Sequence, residues 1–160
     1  NFIINLTSHL KGNTLVLFQF VEKHGLELFA DMEKTLTNRK VFNIYGGTDT
    51  KYREDVRNIT EKESDAVIVA SYGTFSTGIN IRNLHNIVFA SPSKSRIRVL
   101  QSIGRTLRLG DNKDSATVYD IADDFSYKGK QNFTLRHFQE RINIYNQEEF
   151  DYQIDKVNIK

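Results

Sequence analysis

The chain has 160 residues, a formal net charge of +2 and no cysteine. That length suits one domain with its own core. The missing cysteines exclude a disulfide framework and a thiolate zinc site, and the near-neutral balance argues against a strongly basic binder, so any nucleic-acid surface must be local.

No apolar run reaches the roughly 18 residues of a membrane span. The start, Asn1-Phe2-Ile3-Ile4-Asn5, has neither the basic region nor the cleavage site of a signal peptide. It also lacks an initiator Met, which reads as a piece cut from something longer. The four His residues, His9, His24, His85 and His137, show no metal-ligand spacing and no nucleophile partner.

Short apolar runs alternate with helical patterns. Thr14-Leu15-Val16-Leu17-Phe18 is a buried-strand run. Val21, Gly25, Leu28, Phe29, Met32 and Leu36 then form a helical stripe. Val41 to Tyr45 reads as a second strand, closed by Gly46-Gly47, and Thr50 is a candidate cap for a charged helix reaching about Lys62. Ala66-Val67-Ile68-Val69-Ala70 is a third strand, apolar on both faces, as in a parallel sheet covered on both sides. A loop rich in Ser, Thr and Gly is expected from Ser71 to Asn80. Asn86 to Ala90 is a fourth strand, punctuated by Pro92, with Ser93 or Ser95 starting a helix that ends near Leu109-Gly110. Ala116 to Ile121 is a fifth strand. This alternation predicts an open, mainly parallel α/β sheet with helices on both faces. Leu135, Phe138, Ile142 and Tyr145 then recur at helical spacing and predict a C-terminal helix. The expected division is residues 1–126 for the sheet domain and 127–160 for a helical extension.

Ligands of open α/β sheets gather at the carboxyl ends of the strands, where three segments have unusual chemistry. Gln101, Arg105 and Arg108 fall at i, i+4 and i+7, on one stripe of a helix. Two guanidiniums on one stripe suit a polyphosphate, each donating a planar fork to its oxygens. A bare R-x-x-R is usually a solvated helix face; the longer Q-x-x-G-R-x-x-R, following a strand and a loop, is more telling. In the second segment, small hydroxyl residues of Ser71 to Asn80 can hold a phosphodiester without reading sequence. There Gly78 permits close approach and Asn80 can bond a ribose hydroxyl, although an ordinary polar loop would look the same. The third is Gly46-Gly47 with Arg53, with Arg39, Lys40, Lys51 and Arg57 as added local charge. Gln19, Phe20 and Lys23 follow the first strand; Phe20 can stack on a base, though an aromatic there is more often core. Asp123-Asp124 reads as a turn and helix-start device rather than a metal pair.

These segments, in this order, resemble the C-terminal RecA-like lobe of superfamily 2 helicases, over roughly residues 14 to 125. Leu15 to Phe18 looks like motif IV, Tyr45 to Arg53 like motif IVa, Val67 to Asn80 like motif V and Gln101 to Arg108 like motif VI. Thr74 to Asn80, Val118 to Asp124 and the tail His137-Phe138-Gln139-Glu140-Arg141 resemble the phage UvsW type more narrowly. The resemblance implies ATP-driven remodelling of branched DNA or RNA–DNA hybrids in recombination, repair and replication, in the cytoplasm of a host cell. It implies that Arg105 and Arg108 reach the γ-phosphate of ATP across an interlobe cleft, and that Gln101, Gly78 and Asn80 lie about the nucleotide. Gly46, Gly47, Arg53, Gln19, Lys23 and either Ser71 or Thr74 would touch the strand. There is no G-x-x-x-x-G-K-[ST] and no strand ending in Asp-Glu. The phosphate cradle and the Mg²⁺ ligands are therefore expected on a first RecA-like lobe, and this chain alone is expected to hydrolyse nothing. The rival expectation is a non-catalytic module that binds nucleic acid or protein. A Rossmann-type enzyme is disfavoured, since no G-x-G-x-x-G opens the first helix.

Overall fold

In the computed structural model, residues 2–76, 81–91 and 116–159 are described. They form two compact units, Ile3–Ile121 and Ala122–Lys160.

The first unit is built on five parallel strands: β1 (Thr14–Phe18), β2 (Val41–Ile44), β3 (Val67–Ser71), β4 (Asn86–Phe89) and β5 (Thr117–Asp120). Their spatial order is β2-β3-β1-β4-β5. Every residue of β1, β3 and β4 is buried, which is why these segments read as unbroken apolar runs. Side chains alternate between faces. Val16, Phe18, Val67, Val69 and Val88 lie on one, packed with Ile4, Leu28, Met32 and Leu36. The last four come from α1 (Phe2–His9), α2 (Leu26–Thr35) and the residue that ends α2. The chain steps outward from β1 to β2 and back from β2 to β3. Right-handed crossovers then place α2 and α3 (Thr50–Lys62) on opposite faces.

The described strands match those expected from the sequence to within a residue or two at each end. Other elements differ. The stripe beginning at Val21 opens as a π-helical turn, Val21–Gly25, before α2. Its cause is contact: a Cβ on Gly25 would lie 2.2 Å from Phe18 Cε2, so the turn seats directly on that ring. The cap position of α3 is Asp49 rather than Thr50, and its side chain makes no capping bond. The segment after β3 is not a loop from the start, because Tyr72–Ser76 forms a short helix, α4. The first eight helical residues, α1, carried no expected element. Pro92 and the helix expected to start at Ser93 or Ser95 lie outside the described residues.

At the amino ends of the strands, polar side chains join the elements. Asn13 is fully buried; its Nδ2 donates to the carbonyls of Thr60, Glu63 and Asn83, and its Oδ1 accepts from Ala66 N–H at 2.8 Å. The Arg39 guanidinium donates to the carbonyls of Thr7 and Leu10, capping α1, and to those of Gly12 and Asp65. Burial lowers its pKa, opposed by the Asp65 carboxylate 3.1 Å away.

The second unit carries α5 (Phe133–Gln147). Its most buried residues are His137, Arg141 and Tyr145, one turn apart in succession. Of the expected stripe, Tyr145 is buried while Leu135, Phe138 and Ile142 are half-buried. Asp124 Oδ1 accepts from Ser126 N–H at 3.0 Å in an Asx turn, and the Ser126 hydroxyl first, then this N–H, holds its carboxyl pKa low. Among the described residues, no helix is long and apolar enough to cross a membrane.

Candidate nucleic-acid and nucleotide edge

The register brings the strands' carboxyl ends to one edge. Phe18 lies opposite Ser71, Leu17 opposite Phe89, Ile44 opposite Ala70 and Phe89 opposite Asp120. Gln19, Gly46, Tyr72 and Ser91 therefore emerge together.

After β2, Tyr45 to Asp49 make a tight loop. Thr48 Oγ1 accepts from Tyr45 N–H at 2.9 Å, and Thr48 N–H returns a bond to Tyr45 O at 2.9 Å. Gly46 and Gly47 are exposed at its tip, and a Cβ on Gly46 would meet nothing. Arg53, in the first turns of α3, donates Nη2 to the carbonyls of Tyr45 at 3.2 Å and Gly46 at 3.0 Å. It supports the loop from beneath.

After β3, Ser71 and Thr74 are both buried and their hydroxyls pair at 2.7 Å. Ser71 Oγ also accepts from Thr74 N–H. This local bonding, the chemistry of a helix N-cap, is why the backbone turns into α4 at once.

After β1, Gln19, Phe20 and Lys23 are exposed. Phe20 is 63% exposed, which corrects the expectation of a core aromatic. Its carbonyl accepts from the N–H groups of His24 and Gly25, so the π-helical turn fixes the backbone that displays the ring.

Ser91, after β4, ties these ends together. Its Oγ accepts from Gln19 N–H at 3.3 Å and pairs with His24 Nδ1 at 3.0 Å, and its carbonyl accepts from the Tyr72 hydroxyl. His24 has no evident partner in the sequence but has one in the structure, sixty-seven residues away. The available signal was position, since both residues follow strand ends of one parallel sheet.

Arg39 and Lys40 do not belong here. Both precede β2, at the opposite edge, where Lys40 pairs with Glu63. Arg57 stays on α3 beside Glu61. Gly78, Asn80, Gln101, Arg105 and Arg108 lie outside the described residues.

The helicase conserved C-terminal domain model matches residues 1–110. The ATP-dependent DNA helicase uvsW of Enterobacteria phage T4 is 40% identical over 157 residues, covering 92% of this chain and 31% of that protein. The crystal structure of T4 UvsW superposes with a TM-score of 0.80 at 38% identity, over 98% of this chain and 34% of that one. The C-terminal part of the Fun30 ATPase domain shares the fold, with a TM-score of 0.60 at 16% identity, over 85% of this chain and 48% of that one. The chain thus spans about a third of the T4 relative it matches. Its sheet order, covered faces and family match agree: the chain belongs to the helicase conserved C-terminal domain family, the second, RecA-like motor lobe of superfamily 2 helicases.

Proposed function

We propose that this lobe works with a first RecA-like lobe as an ATP-driven clamp on nucleic acid, remodelling branched DNA or RNA–DNA hybrids in recombination, repair and replication. The observation that carries this reading is the aligned edge: exposed Gln19, Lys23, Gly46 and Gly47 stand together at the carboxyl ends of parallel strands.

In this reading the Gly46-Gly47 tip comes close to the phosphodiester backbone, and Gln19 and Lys23 contact the same strand. Arg53 holds the tip in shape. The bond between the Ser71 and Thr74 hydroxyls uses one of their two protons, so the accepting hydroxyl is the one to donate to a phosphate. Arg105 and Arg108 donate to the γ-phosphate of ATP held with Mg²⁺ on the first lobe, while Gln101, Gly78 and Asn80 complete the nucleotide's surroundings. Closure moves the strand only if ATP favours the closed state over the open one.

The test is DNA-stimulated ATP hydrolysis by the whole protein. Arg105→Ala and Arg108→Ala are each expected to lower turnover by about 10³-fold or more, as for an arginine finger, with DNA affinity changed little. Unchanged turnover in both variants would remove the arginine-finger assignment of Arg105 and Arg108.

A further inference from the structure

The second unit displays a small finger. Tyr127 and Lys130 exchange backbone bonds at 3.1 and 3.0 Å. The two residues between them, Lys128 and Gly129, have φ of 48° and 77°, the signs of a type I′ hairpin turn. Asn132 closes the base, donating to Asp123 O at 2.8 Å and accepting from Phe125 N–H at 3.2 Å, and Thr134 Oγ1 donates to Asp123 O. The chain therefore leaves and returns at one pinned point.

The surface of this finger is unusual. Phe125 and Tyr127 are 75% and 71% exposed. From Phe125 to Gln139 there is no Asp or Glu, while Lys128, Lys130 and Arg136 are present. Lys128 Nζ lies 5.3 Å from the Tyr127 ring centroid, so charge and ring share one spot. Apolar rings interleaved with unopposed cations match a single strand: bases stack on rings whatever their sequence, and ammonium groups meet phosphates. A protein-docking patch would need an apolar centre with charge kept to its rim; here the cation sits over the ring.

We propose that the Phe125–Lys130 hairpin is a nucleic-acid contact of its own, taking single-stranded nucleic acid by stacking on Phe125 and Tyr127 while Lys128 and Lys130 hold phosphates. The proposal rests on the reading that the ligand is nucleic acid. It concerns residues beyond the region matched by the family model.

The test uses the 160-residue chain and fluorescence anisotropy with a labelled oligothymidylate of about 15 nucleotides and an abasic strand of equal length. Phe125→Ala/Tyr127→Ala is expected to weaken oligothymidylate binding at least about ten-fold, with the abasic strand changed less than about two-fold. Tyr127→Phe keeps the ring and should bind normally. Lys128→Gln/Lys130→Gln should weaken both strands and reduce the slope of log K against log salt by about 1.4. Unchanged oligothymidylate binding in the aromatic variant, or equal loss on both strands, overturns the hairpin assignment and leaves protein docking as its use. If the unmodified chain binds neither strand, the nucleic-acid reading itself fails, and the hairpin proposal with it.

Discussion

Asn13 joins four parts of the fold through its side chain. It connects the start of β1, the end of α3, the segment before β4 and the start of β3 through one carboxamide. Asn13→Ala leaves three carbonyls and one N–H to find other partners, and is expected to cost about 3 kcal/mol or more. Urea unfolding measures this; a loss under about 1 kcal/mol would show that water replaces the side chain. Gly25→Ala tests the seat of the π-helical turn. The added Cβ meets the Phe18 ring rather than a flexible chain end, so destabilisation of about 1–3 kcal/mol is expected, read as a lowered melting temperature. Neither role was legible in sequence, because each depends on a partner brought up by folding. Arg39 shows the converse. It stands seven residues before Gly46 and reads as added charge beside it, but a four-residue strand intervenes. At about 3.3 Å per residue that is roughly 13 Å, enough to put the two at opposite edges of the sheet.

Elements were legible where one rule decided them. β1, β3 and β4 are buried on both faces, and a run apolar on both faces has few other uses in a chain this short. The ligand edge then follows from the strands being parallel, but their order was not legible, since crossover handedness fixes only the face on which each helix lies. Short elements set by one side-chain bond were not legible. α4 exists because Ser71 and Thr74 satisfy each other, and its composition, with Gly73 and hydroxyl residues, reads as loop. A double-mutant cycle tests that pair. Ser71→Ala alone should cost about 1 kcal/mol as a lost cap, and Thr74→Val should leave the Ser71 hydroxyl buried without that partner. The double variant should cost less than the sum, with a coupling of about 0.5 kcal/mol or more. Additive losses would mean that the two hydroxyls act independently.

For the whole molecule, charge sets what the lobe can do alone. With a net charge of only +2, attraction to a polyanion comes from local groups such as Lys23 and the hairpin lysines. Binding by this lobe alone should be weak and fall steeply with salt. The expected loss between about 50 and 200 mM salt checks this in the same anisotropy assay; salt-insensitive binding would point away from phosphate contacts. The motor reading came through the family resemblance carried by Gln101, Arg105 and Arg108, which lie outside the described residues, whereas the described geometry speaks through Gln19 and the Gly46-Gly47 tip.

The most direct test of that edge is amide chemical-shift mapping of the chain during titration with single-stranded DNA. The account predicts shifts concentrated at Gln19, Lys23, Gly46 and Gly47, with the Asn13, Arg39 and Asp65 amides at the opposite edge unmoved. Shifts centred on Asn13, Arg39 and Asp65, with the glycine tip silent, would contradict it.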